Sequence, residues 1–289
     1  MITKMTLRTA PPAEVEDANG PALIQKSPSR TSSWCGKIAA MTSSPYWLSR
    51  YRAGHREQVW HELRQLGRTI RREPYLAQEA EQVCDEMARR ARQNVEVIVE
   101  RLTAAGYRFH TNDDVQAPAM PHAAPTSAAS EHVDWLQERF GEVPMTVRSW
   151  IRFVGDVWLV GTHPDWAEST SGDPLVIELE GSRLADGPST RGFFEDEWEA
   201  WRGYSARDAD LFVLPVAPDR FHKENVSGGS PYGIVLPDGC VDGLFVAETT
   251  TLFVSYLNQV FQHGGFPWTS GSENERHIKR DLAAGLLRL

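Results

Sequence analysis

Residues 131–160 read EHVDWLQERFGEVPMTVRSWIRFVGDVWLV and combine two helical patterns with a strand pattern. Its first ten residues predict a helix that ends at Gly141. A second helix is expected to begin at Pro144 and to end at Gly155, because its apolar side chains recur at helical spacing. The β-branched and aromatic run that follows predicts a strand at 157–160. Two helices that lead directly into a strand indicate a domain of mixed α and β structure.

The C-terminal half continues with short β-branched or aromatic runs, bounded by Gly, Pro or Asp, which predict strands. These runs are Leu175–Leu179, Leu211–Val216, Ile234–Leu236 and Leu244–Val246. Helices are expected at 194–201 and 250–262, and Ser272 with Glu275 indicates a capping box for a last helix within 269–289. Because long crossover helices do not separate these strands, we predict an α+β fold with a mainly antiparallel sheet flanked by helices.

Upstream, residues 45–110 carry apolar side chains at helical spacing and predict an α-helical hairpin in front of the α+β domain. Pro74 suits the first turn of the second helix, and Gly106 suits its C-terminal cap. Both helices are rich in arginine, which could indicate a nucleic-acid surface. Glutamate and aspartate alternate with the arginines, so a solvent-exposed, salt-bridged face is the preferred interpretation.

Two segments lack an apolar period. Residues 1–44 mix Pro, Ser, Thr and charge and predict a disordered tail, with translation from Met41 as an alternative explanation of the first 40 residues. Residues 111–130 hold three prolines and six alanines and are expected to be a linker. The predicted order is therefore tail, hairpin, linker, an α+β domain over 131–268, and a C-terminal helix.

Charge is distributed unevenly along the 289 residues, whose formal net charge is −9. Residues 113–289 hold twenty-seven acidic against thirteen basic side chains, whereas the preceding parts are slightly basic. An acidic surface repels nucleic acid and anionic membranes, and it speeds association with a basic protein. A surface that serves only solubility is the alternative. We expect a protein partner, no nucleic acid and no membrane.

Cysteine use and the N-terminal sequence bear on the compartment. Cys35, Cys84 and Cys240 are scattered and odd in number, so neither a disulfide framework nor a paired C-x-x-C motif is present. The first residues lack the apolar stretch of a signal peptide, and no run of eighteen apolar residues occurs. These features predict a cytoplasmic protein.

Motifs whose spacing implies a mechanism are missing from the sequence: it contains no Walker loop, dinucleotide fingerprint, nucleophile elbow or zincin helix. The best catalytic candidate is His163 with Asp165 and Asp173, which could bind a metal or form a general base with an orienting carboxylate. A turn in which His163 bonds to the backbone is the preferred alternative, because too few further ligands lie nearby. The sequence therefore predicts no enzyme, no metal and no cofactor.

A second candidate site is the acidic, tryptophan-containing run FEDEWEAW at 194–201. Carboxylates attract cations over a distance and tryptophan offers a flat apolar anchor, a combination typical of a surface that binds a basic protein. The alternative is an amphipathic helix with its tryptophans in the core, and the two interpretations are compatible. The predicted binding residues are Glu195, Asp196, Glu197, Trp198, Glu199, Trp201, Asp208 and Asp210.

Three segments resemble the SUKH superfamily: FGEVPMTVRSWIRFVGDVWLVGTHPDW at 140–166, DPLVIEL at 173–179, and TLFVSYL at 251–257 followed by GGFP at 264–267. The resemblance spans about 131–268 and rests on element order with a few Gly, Pro and aromatic positions. It implies an α+β fold and membership in a group known for immunity proteins that neutralise bacterial toxins, alongside a fungal regulator of cell-wall synthesis. It carries over no catalytic or binding residue.

These observations favour one function and leave two alternatives. The favoured function is a non-enzymatic, cytoplasmic immunity protein that neutralises a basic toxin through its acidic C-terminal domain. The first alternative is an intracellular adaptor or regulatory scaffold, in which the hairpin and the α+β domain contact different proteins. The second is a hydrolase that uses His163 and Asp165.

Overall fold

A computed structural model describes residues 45–181, 189–204 and 211–289. The fold is α+β, with antiparallel strand pairs and flanking helices, as predicted. Residues 46–289 form one compact unit. The disordered tail predicted for 1–44 lies outside the described residues.

From residue 45 onward, three α-helices come first, and groups of short strands and helices follow. In order they are α1 (Trp47–Arg52), α2 (Arg56–Leu66), α3 (Pro74–Ala104), α4 (Ala129–Phe140), α5 (Met145–Phe153), α6 (Thr190–Tyr204), α7 (Arg220–Lys223), α8 (Phe253–Gln262) and α9 (Glu273–Ala283), with 3₁₀ helices at Gly67–Arg72 and Ser169–Gly172. Pro74 stands in the first turn of α3, where its missing N–H has no helical partner to lose. Within the described ranges, no helix has the length and apolar character needed to cross a membrane.

The strands form three antiparallel groups. They are β1 (Arg108–Phe109), β2 (His122–Ala123), β3 (Asp156–Trp158), β4 (Gly161–Thr162), β5 (Val176–Ile177), β6 (Phe212–Ala217), β7 (Tyr232–Leu236), β8 (Leu244–Val246) and β9 (Thr250–Leu252). The groups have the orders β1-β4, β2-β3-β5 and β6-β7-β8-β9. The Glu178 amide donates to the Val216 carbonyl (2.8 Å) and connects the second group with the third. Each predicted strand run overlaps an observed strand.

The long helix α3 packs against α5 and shares a core with the α+β part. Val83, Met87 and Ile98 of α3 are completely buried, and burying each such side chain stabilises the fold by about 1.5–3 kcal/mol. A hydrogen bond also links the two helices, because the Ser149 hydroxyl of α5 donates to the Asp85 carboxylate of α3 over 2.7 Å. The N-terminal helices and the α+β part therefore belong to one folded unit.

Residues 111–130, the expected linker, are folded onto the strands of this unit. Strand β2 pairs with β3, and the Trp158 amide donates to the Pro121 carbonyl (2.9 Å). The His122 Nε2 atom bonds to the Val154 carbonyl over 2.8 Å. Prolines and alanines leave no apolar period, so partners that lie thirty residues further on cannot be recognised from the local pattern. The structure shows packed backbone where a linker is expected.

The arginine-rich face after α1 differs from the expected solvent-exposed face. Arg64 pairs with the buried Asp242 over 2.6 Å, and Arg71 donates to the carbonyls of Gly239 (2.8 Å) and Val143 (2.7 Å). Guanidinium groups offer several fixed donors, which suits them to satisfying carbonyls of a buried loop. For these arginines the interpretation is corrected, because they hold the N-terminal helices to the loops before α5 and after β7.

The last helix docks on α3. The Ser272 side chain caps α9 by accepting a hydrogen bond from the Glu275 amide over 3.2 Å, which confirms the predicted helix start. Arg101 of α3 donates to the Leu282 carbonyl over 2.7 Å. The Asn94 amide group exchanges hydrogen bonds with the backbone of Leu287, both at 2.7 Å.

Candidate protein-binding surface

Helix α6 carries most of the predicted binding residues and is held in place by aromatic side chains. Phe194 is buried, whereas Trp198 and Trp201 are half-buried and stack with ring centroids 4.8 Å apart. Phe212 of β6 contacts both tryptophans, at 4.9 and 5.7 Å, and Phe140 of α4 lies 5.5 Å from Trp198. The two tryptophans therefore fix the helix to its neighbours, as the core interpretation of their spacing predicts.

The four carboxylates of α6 fall into two pairs. Glu195 and Glu199 are about half exposed and face Arg139 of α4, at 3.7 and 2.7 Å. Asp196 is exposed and Glu197 is half-buried, and neither has a hydrogen-bond or ion-pair partner in the part of the chain that the structure describes. The second pair is therefore available to cations of another molecule.

Glu197 has a perturbed ionisation. Burial raises its pKa, and the adjacent charge of Asp196 raises that pKa further. A cation supplied by a partner would act in the opposite direction and would stabilise the carboxylate. Binding of a basic group beside Glu197 is therefore expected to release protons when the pH is near this pKa.

Helix α4 adds acidic residues that were not among the predicted binding residues. Glu131, Asp134 and Glu138 are exposed and lie at positions i, i+3 and i+7, so they form a stripe on one face of the helix. Their helical spacing is visible in the sequence. The position of this stripe beside α6 follows from tertiary packing and could not be read from it.

Arg191 joins the start of α6 to α4. Its Nε atom donates to Nδ1 of the buried His132 over 3.3 Å, and its guanidinium lies 5.1 Å from the ring centroid of Trp135. The other imidazole nitrogen of His132 bonds to the Leu179 carbonyl over 2.7 Å. Burial lowers the pKa of His132, and the nearby charge of Arg191 also lowers it. The neutral imidazole can accept from Arg191 and donate to Leu179 at the same time.

We call the carboxylates and arginines that these two neighbouring helices carry outside the core the acidic face. Its carboxylates are Glu131, Asp134, Glu138, Glu195, Asp196, Glu197 and Glu199, and its arginines are Arg139, Arg191 and Arg202. Seven acidic groups against three basic groups give the face a negative charge. The predicted binding residues Asp208 and Asp210 lie outside the described residues.

The catalytic candidates are engaged in separate structural contacts. His163 is buried, and its Nδ1 atom accepts a hydrogen bond from the backbone N–H of Asp165 over 3.0 Å, as in the turn favoured from the sequence. The carboxylate of Asp173 instead pairs with Lys223 (2.6 Å) and accepts from the Tyr232 hydroxyl (3.3 Å). Among the described side chains, no group of three or more His, Cys, Asp or Glu residues could hold a metal ion.

Comparisons with known proteins add no relative. No protein-family model, no curated protein and no solved structure matches this chain. The resemblance to the SUKH superfamily stays a prediction from the sequence.

Proposed function

We propose that this chain is a non-enzymatic protein-binding module that holds a basic protein on the acidic face. The observation that carries the proposal is the state of Asp196 and Glu197, two adjacent carboxylates without a partner among the described residues, on a helix fixed by aromatic packing. Because the helix that carries these carboxylates is already fixed, less conformational entropy is lost when a partner binds. Uncompensated charge raises the association rate with a molecule of opposite sign.

An exposed aromatic side chain supplies the apolar part of this surface. Tyr204, the last residue of α6, is 83% exposed and lies seven residues after Glu197, on the same side of the helix. Tyrosine is enriched among residues that dominate binding energy. Since Trp198 and Trp201 pack inward, Tyr204 takes the anchoring role that the sequence assigned to them.

Neutralisation of a basic bacterial toxin is the finer form of the proposal. It is supported by the resemblance to the SUKH superfamily and by the charge of the acidic face. An inhibitor must bind its target faster than the target acts, and electrostatic attraction is the physical means to that end. In this form of the proposal the partner is a basic toxin domain, and the protein binds it in the compartment where the toxin acts.

Co-expression tests the toxin-neutralising form. Since an immunity gene is expected directly downstream of its toxin gene, the product of the gene directly upstream is expressed with the wild-type chain or with the double variant Asp196→Lys/Glu197→Lys. The matched control is Glu100→Lys/Glu273→Lys, which reverses two exposed acids on α3 and α9. We expect growth to be rescued by the wild type and the control but not by the α6 variant. A toxin that is bound without being neutralised would instead support the adaptor function, and equal rescue by all three proteins would contradict the role of α6.

A further inference from the structure

A groove of about 530 Å³ lies along α9, and none of its lining residues belongs to the acidic face. It is lined by the end of α8 with His263, by Thr269, and by Arg276, Arg280 and Ala283 of α9. Its volume is within the range of about 300–1,000 Å³ that is common for small-ligand sites. The proposed protein-binding function makes no use of it.

The groove is positively charged, although it lies in the acidic C-terminal part of the chain. Arg276 and Arg280 are exposed and one helical turn apart, and within the described ranges neither side chain has a hydrogen-bond or ion-pair partner. Lys279 also lines the groove, but its ammonium is matched by Glu275 at 2.5 Å and bonds to the Trp268 carbonyl. Two guanidinium charges therefore remain uncompensated.

The wall of the groove is formed by close packing of the end of α8 against α9. α8 ends against α9 at Gly264, where φ is +63° and an added Cβ would lie 2.5 Å from Cβ of Leu282 and 2.9 Å from the Lys279 carbonyl oxygen. Only glycine allows so close an approach in this backbone conformation. The ring of His263 is held by a bond of 2.8 Å from Nδ1 to the Gln259 carbonyl. The shape is thus present before any ligand arrives.

Two neighbouring guanidinium groups select a dianion over a monoanion. Cβ atoms at i and i+4 of a helix are about 5–6 Å apart, so one phosphate can bond to both side chains. Arginine's fork of donors fits phosphate oxygens, and a phosphate monoester carries about −1.5 to −2 charges at pH 7. Ala283 and the aliphatic stems of the arginines offer apolar surface beside that position.

We propose that this groove binds a small organic phosphate, with the phosphate between Arg276 and Arg280 and an apolar body over Ala283. Isothermal titration of the full chain with phenyl phosphate tests this, beside inorganic phosphate and benzenesulfonate, which has a similar shape but one charge. We expect saturable binding of phenyl phosphate with a Kd of about 1 mM or tighter. Inorganic phosphate and benzenesulfonate should each bind at least tenfold more weakly.

Variants separate the groove from general charge effects. Arg276→Ala and Arg280→Ala should each weaken binding of phenyl phosphate at least tenfold, and Arg→Lys at the same positions should weaken it less. Arg72→Ala is the control, since Arg72 is also exposed and unpaired among the described residues. Absence of saturable binding, equal loss in the control, or benzenesulfonate binding as tightly as phenyl phosphate would overturn the proposal.

Discussion

Arg64 and Asp242, which lie 178 residues apart, are joined by two hydrogen bonds to one carboxylate oxygen. Nε of Arg64 lies 3.1 Å and Nη2 2.6 Å from Oδ2, while Oδ1 accepts from the Val254 amide over 3.1 Å. The Asp242 side chain is completely buried, and burial raises its pKa. The ionised form therefore depends on Arg64, and the pair ties α2 to the start of α8.

Removing Arg64 should destabilise the whole unit. Arg64→Met leaves a buried carboxylate without its cation, and we expect the free energy of unfolding to fall by about 3 kcal/mol. Urea denaturation measures this value, with Arg72→Met as a control that should change it by less than about 0.5 kcal/mol. Unfolding of the N-terminal helices in a separate transition would contradict the shared core.

Aromatic packing, rather than ion pairs, should hold α6. Trp198→Ala removes contacts with Phe140, Trp201 and Phe212 and is expected to cost about 2–3 kcal/mol, somewhat less than a fully buried tryptophan. Arg139→Ala breaks only exposed pairs and should cost less than about 1 kcal/mol. Thermal unfolding of both variants checks the order, and a larger loss in the arginine variant would show that the ion pairs dominate.

Some of these contacts can be predicted from the sequence, and others cannot. Strand runs such as 234–236 are predicted correctly because a short, continuous apolar run between turn residues is typical of a strand that is buried on both faces. The inward tryptophans of α6 are predicted for a similar reason, since helical spacing aligns them with Phe194. These features are local, and a local pattern is sufficient to find them.

The features that the sequence could not reveal depend on partners far along the chain. Nothing in the sequence distinguishes Arg64 from an exposed arginine, because its partner Asp242 lies 178 residues further along the chain. The segment 111–130 has no apolar period of its own, yet its strand β2 pairs with β3, and the side-chain amide of Asn112 donates to the carbonyl of His222 in α7. The acidic stripe of α4 is visible as spacing, but its place beside α6 is a result of packing around Phe140.

Acid should destabilise the protein partly through His132. Its folded pKa is lowered by burial, so the unfolded chain takes up a proton below about pH 6.5, where the folded imidazole stays neutral. Protonation would also place a second N–H against Arg191. Neutral His132 therefore contributes its full stability to the folded state above about pH 6.5, and this contribution is lost as the pH falls from there through the folded pKa of His132. Urea denaturation between pH 5 and 8 should show a shallower pH dependence for His132→Asn, and equal slopes would contradict this role.

Glu197→Gln should stabilise the chain while weakening its binding. The folded pKa of Glu197 is raised, so the charged form is disfavoured in the folded state at pH 7 and its removal should increase the melting temperature. Glu199→Gln is the matched control, because it loses the pair with Arg139 and should leave the melting temperature unchanged or slightly lower. A lower melting temperature for Glu197→Gln would show that this carboxylate has a stabilising partner.

Affinity purification from native lysate with tagged chains tests whether the acidic face binds a basic protein. The face variant carries Asp134→Lys, Glu138→Lys and Asp196→Lys, and the control variant carries Glu100→Lys, Glu168→Lys and Glu273→Lys, all at exposed positions. We predict that mass spectrometry will find one basic protein captured by the wild type and the control, and at least tenfold less of it with the face variant. The same captured proteins in equal amounts from all three chains would show that the acidic face does not bind them.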